Sequence, residues 1–285
     1  MQSAFEPMQP SQKSRFREAY LNYLRARDGQ PDLRARRFDI RERFFAQIDA
    51  NPVVWEGRPP VDQGVFDRNY RRAKPEAGLD EATLWALATA KTNRGERYGV
   101  EYSLAHGEHP TDPSADPHAF IQVEEVYHTR ILEDALAAIG VKMKVSDPGV
   151  ATRVLVRGMV HMPDQVSDVL VLCGEIFGVA VFALLLEKAR ELFASQPRAL
   201  ARIEALFAQI MVDEVGHVHF VRSRLSPELV RLARRIGPLV AWGAMRDIPE
   251  LEALFGRKKI LERMARADVD SEAAPYADRF VLPTA

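Results

Sequence analysis

Two short segments far apart in the chain share one form: Glu124-Glu125-Val126-Tyr127-His128 and Asp213-Glu214-Val215-Gly216-His217 are each an acid followed by Glu-x-x-His. Residues three apart lie on one face of an α-helix. Glu125 with His128, and Glu214 with His217, therefore each present a carboxylate oxygen and an imidazole nitrogen together. One such pair is most often a solvated surface feature. Two of them facing each other would chelate two metal ions.

A further acid is hard to read as surface. Glu175 stands in the run 169–186 among Leu172, Ile176, Val179 and Phe182, where an unpaired carboxylate would cost several kcal/mol. No Lys or Arg occurs between residues 158 and 188, so a metal or a proton is the partner its own helix leaves it. The segment before the first motif offers Glu101 or Glu96. Glu101 lies about four turns after Leu87, on the apolar stripe of Leu84, Leu87, Tyr98 and Ala105, and is the expected ligand. The order then reads Glu, Glu-x-x-His, Glu, Glu-x-x-His. Oxygen and imidazole donors suit iron or manganese and admit zinc. Six ligands shared by two ions leave positions open for dioxygen and water. Asp168, about two turns before Glu175, is expected either to cap a helix near Pro163 or to touch a substrate. Gly174, Gly178 and Ala180 either leave room for a cavity or let helices pack closely. An apolar wall of Ile176, Phe177, Val179, Phe207 and Val218 is expected beside the ligands.

The elements that must position these residues are helices. Apolar periodicity predicts them over 11–27, 33–49, 80–106, 116–140, 147–160, 164–195, 197–224, 226–244 and 247–266. Asp80 and Ser226 are expected caps, and Gly140 an expected C-terminal stop. Residues 51–75, with four prolines and two glycines, are predicted to be an irregular connection, and 106–117 a loop. The division expected is one domain: an N-terminal helical extension over 1–75, a core over 80–224 and a C-terminal extension over 225–285.

Composition is ordinary for a soluble globular protein able to bury a sizeable core: 285 residues, 47% hydrophobic and 28% charged. With 39 basic against 40 acidic residues, nothing in the balance points to nucleic acid or an acidic membrane. The Arg-rich stretch 13–43 has acids interspersed and is predicted to be a solvated helical face. A lone Cys173 rules out internal disulfides and multi-cysteine metal sites. With no secretory signal at the start, a cytoplasmic location is expected. The run 169–186 is near the length of a membrane span, but Glu175 within it and the lack of a second span predict a buried central helix.

On these motifs the chain resembles the ferritin-like non-haem di-iron carboxylate oxygenases and oxidases, over roughly 80–224. The resemblance implies an all-α, ferritin-like four-helix bundle with additional terminal helices, residues 141–163 forming its long crossover. It implies that Glu101, Glu125 and His128 hold one iron and Glu175, Glu214 and His217 the other, with Glu125 and Glu214 bridging. Glu124 and Asp213 would hydrogen-bond the opposite histidines. Two Fe ions, or Mn, would act with O2 on a small organic substrate, free or carrier-bound, fed by a reductase or ferredoxin in a homodimer. Hydroxylation, N-oxygenation and desaturation all fit such a site. The sequence is similar in size to the p-aminobenzoate N-oxygenase group but has Ile210 where that group has an additional His. It also has Leu132 where ribonucleotide reductase small subunits keep a radical-forming Tyr. An iron-handling ferroxidase without organic substrate is the alternative, and a helical interaction protein with no metal a third.

Overall fold

The computed structural model describes residues 3–32, 34–106 and 115–269. Over them the chain forms α1 (Pro10–Arg27), α2 (Asp39–Ala50), α3 (Gln63–Tyr70), α4 (Glu81–His106), α5 (Pro117–Ala138), α6 (Val150–His161), α7 (Asp164–Leu192), α8 (Pro197–Arg224), α9 (Pro227–Asp247), α10 (Pro249–Phe255) and α11 (Arg257–Ala265). The described residues hold no strand, only an isolated bridge between Asp32 and Arg37. The all-α expectation is met.

Helix ends follow local chemistry. Asp80 Oδ1 accepts from Thr83 N at 2.7 Å, and Ser226 Oγ accepts from Leu229 N at 3.3 Å, so each satisfies an orphan first-turn donor. Gly140, at φ 80°, closes α5: its N–H bonds Ala137 O, and Val141 N bonds Leu136 O, both at 3.0 Å. That pair of bonds is the Schellman arrangement, which needs the left-handed residue.

Three expectations fail locally. The connection 51–75 contains α3, whose start is capped by Asp62 Oδ1 accepting from Val65 N at 2.9 Å and which buries Phe66. The prolines flank this helix and do not fill it. The second helix begins at Asp39 and not at 33, because the chain first turns through Arg36 at φ 53° and buries Phe38 against Phe120 and Tyr127. The stretch 247–266 is two helices, broken at Gly256 with φ 74°. Most of the loop expected at 106–117 lies outside the described residues.

Contacts between side chains fix the topology. Asn93 Nδ2 donates to Thr129 O, His128 meets Asp213, Asp168 meets Arg224, and Trp85 Nε1 donates to Leu185 O. With Glu96 beside Glu125 and Glu124 meeting His217 as the second contacts of α4 with α5 and of α5 with α8, adjacent helices in the cycle α4, α5, α8, α7 are antiparallel, which makes α5 and α7 parallel. Two parallel helices need a connection that returns the length of the bundle. Residues 139–163, with α6, supply it. α7 is long and apolar enough to cross a membrane, yet 72% of its most apolar window is buried inside the protein.

The terminal helices cover the outside of this cycle: α9 and α11 lie on α7, α3 and α10 on α4, and α1 on α8 and α5. α1 docks through Tyr20, fully buried beside Gly216. A Cβ at position 216 would stand 2.6 Å from Tyr20 Cε2 and 2.7 Å from Cζ. The Tyr20 ring is stacked on Phe16 and has no room to withdraw. Gly216→Ala should therefore cost about 1–3 kcal/mol, measured by urea unfolding. A variant as stable as wild type would show that α1 does not pack this closely.

Candidate metal centre

The i, i+3 geometry of α5 and α8 brings the two Glu-x-x-His pairs face to face. Glu125 reaches both imidazoles: its Oε2 lies 3.3 Å from His128 Nδ1 and its Oε1 2.9 Å from His217 Nδ1. Glu214 Oε1 lies 3.5 Å from His128 Nδ1, and Glu175 Oε2 lies 3.8 Å from His217 Nδ1. Ligand-capable atoms of Glu125, Glu175, Glu214 and His217 all fall within 4.8 Å of one another, as do those of Glu96, Glu125 and His128. Glu125 belongs to both groups.

Glu96, not Glu101, is the acid that α4 brings to the cluster. Glu101 is exposed and pairs with Arg97 at 2.8 Å. The other five expected ligands converge as the sequence indicated. Asp168 caps nothing; it takes an ion pair from Arg224 Nε at 2.8 Å at one end of the cavity described below. Of the expected apolar wall, Phe177 lines that cavity, whereas Ile176, Val179, Phe207 and Val218 are buried in the core. Gly174 and Gly178 line it as well; Ala180 does not. Tyr127 faces α2, its hydroxyl donating to Glu42 Oε1 at 2.8 Å and accepting from Phe38 N at 2.8 Å, away from the cluster. Leu132 and Ile210 are fully buried.

The acids preceding each motif sit behind the opposite histidine. His128 Nε2 is 3.1 Å from Asp213 Oδ2, and His217 Nε2 is 3.0 Å from Glu124 Oε2. These bonds place a proton on each Nε2 and turn each Nδ1 inward. The rear layer is closed by residues the sequence did not single out. Arg27, at the end of α1, and Arg41, on α2, converge on Asp213, Arg41 Nη2 at 2.6 Å from its Oδ1. Arg41 Nε also holds Asp28 Oδ1 at 2.8 Å. The other arginines of that stretch, including Arg15, Arg17, Arg25 and Arg34, are exposed as expected. Only the fold distinguishes the two buried arginines.

Electrostatics divide the two halves. Burial would raise the Asp213 carboxyl, but Arg27 and Arg41 hold it well below the usual range. Burial, then the neighbouring Asp213 and Asp28, pushes Glu124 up to about 8. His128 is thus backed by a fixed anion, and His217 by an acid near its titration range.

Comparison with known protein families, curated proteins and solved structures returned no match. The donor set must therefore be judged by its own chemistry. His128 Nδ1, His217 Nδ1 and Glu214 Oε2 are buried with no hydrogen-bond partner, although both nitrogens stand within ion-pairing distance of carboxylates. Orphaned buried polar atoms of this kind are rare. Once deprotonated, they direct lone pairs inward among four carboxylates, a set that fits divalent cations.

Without a cation the cluster holds protons. Burial and then Glu125 raise Glu96, and burial followed by Glu175 and Glu125 raises Glu214, both well above the ordinary carboxylate range. Burial would lower His128, but Glu125 and Asp213 lift it to about 10. His217 is likewise held well above normal against burial, by Glu124 and Glu125. Groups with raised pKa values keep their protons at neutral pH, so a metal must displace them and its affinity must fall as pH falls. Titrating Zn2+ into weakly buffered protein should release protons, with tighter binding at higher pH. Affinity independent of pH between about pH 6 and 8 would contradict the ligand assignment.

A cavity of about 870 Å³ opens onto the inner face of the cluster. Its floor carries Glu96, Glu125, Glu175, Glu214 and His217; α6, twelve residues and roughly 18 Å long, runs along it with Val156 and Met159 inward. Gly95, Gly99 and Gly174 also line it, and a Cβ at any of them would meet nothing within 4 Å. The glycines here leave space; they do not bring helices together.

Proposed function

We propose that the protein is an oxygen-activating oxidoreductase of ferritin-like, di-iron type that oxidises a small organic substrate. The observation that carries this reading is the sharing of Glu125 between two carboxylate–imidazole groups on the floor of a cavity. Glu96 and His128 would hold one ion and Glu175 and His217 the other, with Glu125 and Glu214 between them. Bound iron would supply the electrons for reducing dioxygen, renewed by an external reductase or ferredoxin.

The chain's own residues would do the rest. Asp213 and Glu124 keep the Nε2 protons of His128 and His217 in place, so both Nδ1 atoms stay directed at the ions. Glu96, Glu125, Glu175 and Glu214, on four different helices, would hold the ions and supply the negative charge that favours their oxidised state. Val156, Met159, Val171 and Phe177 exclude water from the space where substrate would lie. The parallel placement of α5 and α7, joined across the bundle by α6, supports the ferritin-like assignment.

The test is anaerobic loading with Fe2+ followed by exposure to O2. Two irons per chain, oxygen uptake, and oxidation of an added substrate only in the presence of a reductant system are the expected results. Iron accumulation far beyond two per chain in a hollow assembly would favour the ferroxidase reading. A chain that takes up no iron, with unchanged thermal stability, would leave a helical interaction protein.

A further inference from the structure

The cavity contains a cation that the metal reading does not use. Arg94, on α4 two residues before Glu96, lines the cavity and is only 9% exposed. Among the described residues its guanidinium has one hydrogen bond, from Nη1 to Tyr70 O at 3.3 Å, and lies 4.9 Å from the centre of the Tyr70 ring. Its Nε is buried with no partner. Glu250 and Asp247 act on it only at longer range; each has one oxygen engaged elsewhere, and the second oxygen of Glu250 makes no hydrogen bond. Glu250 pairs with Lys91, and Asp247 Oδ2 accepts from Thr152 N at 2.9 Å at the start of α6. Lys91, the other cation at this end, is thereby neutralised. Arg94 is a buried charge without a carboxylate in contact, an arrangement that proteins avoid unless something else supplies the anion.

We propose that Arg94 binds the carboxylate of the substrate. The guanidinium fork matches a planar carboxylate, which an ammonium would meet only as a point charge. A single uncompensated cation, with Glu250 and Asp247 nearby, suits a monoanion and disfavours the dianion of a phosphate ester. From Arg94 the cavity continues past the cluster between α6 and the glycine faces of α4 and α7, and its wall there is apolar, including Val156, Met159, Val171 and Phe177. The substrate class is therefore a monocarboxylic acid with an apolar alkyl or aryl body, anchored by its acid group and oxidised along the body. This rests on the oxidoreductase reading for the oxidation step and on Arg94 alone for the anchoring.

The test uses the full chain, metal-free and Co2+-loaded, titrated calorimetrically with octanoate, 1-octanol and octyl phosphate. Octanoate should bind at least tenfold tighter than 1-octanol and tighter than octyl phosphate, with or without metal. R94M should remove the preference over 1-octanol, R94K should keep part of it, and both should load as much Co2+ as wild type. Equal binding of octanoate and 1-octanol, or an unchanged preference in R94M, overturns the anion site; tighter octyl phosphate overturns the monocarboxylate. If R94M does not fold, the wild-type comparison decides the matter. Retained octanoate preference in a protein that takes up no Co2+ would leave the anion site standing and remove the di-metal reading.

Discussion

Glu125→Gln should empty the protein of metal, from two ions per chain to none, as measured by anaerobic titration with Fe2+ or Co2+. The reason is geometric. One Glu125 oxygen stands 3.3 Å from His128 Nδ1 and the other 2.9 Å from His217 Nδ1, so each half of the centre takes one oxygen of the same carboxylate. The amide keeps the shape but loses the charge and one acceptor. Loss of an outer hydrogen-bond partner alone costs about 10–100-fold in metal affinity, and loss of a shared inner carboxylate should exceed that. Glu175→Gln gives the contrast, since Glu175 belongs to one group only: one ion should remain. Two ions retained in Glu125→Gln would refute the shared-ligand arrangement.

Arg41→Met should be the most destabilising single change outside the cluster, by about 3–5 kcal/mol in urea unfolding. Arg41 has 3% of its side chain exposed and binds two carboxylates that are themselves buried, Asp28 and Asp213. It also donates to Gln209 Oε1 at 2.8 Å. Removing it leaves two carboxylates in the interior short of a cation, Asp213 keeping Arg27 and His128. Arg41→Lys should recover a minor part, because an ammonium cannot span both acids. A loss below about 1 kcal/mol, the size expected of an exposed pair, would mean that the network contributes little.

Much of the centre was readable because helical spacing is rigid. Once two Glu-x-x-His pairs and the acid in an apolar run are placed on helices, five members of the cluster follow, as do the positions of Glu124 and Asp213 behind the opposite histidines. Glu101 failed for a physical reason. The first three turns of α4 are buried nearly all round, from Thr83 to Arg94, between the bundle on one side and α3 and α10 on the other. Leu87 therefore marks the outer packing and not the inner face, and a stripe drawn through it leads to the exposed Glu101. Arg27 and Arg41 are hidden for another reason: nothing local separates them from the solvated arginines around them, and Asp213, on which both converge, is 186 and 172 positions away. The α3 segment was lost among prolines that mark its ends.

The contributors to the centre are spread widely along the chain. Arg27 and Arg41 precede every member of the cluster, and Asp213, Glu214 and His217 come from the second half of α8. During synthesis the N-terminal part emerges first; Arg41 can meet Asp28 at once, but Asp213, on which both arginines converge, follows only when α8 leaves the ribosome. The group of Glu125, Glu175, Glu214 and His217 cannot be assembled on a nascent chain shorter than this, and His128 lacks its Asp213 partner until then, so a pair of captured ions would mark a core whose translation and docking are complete.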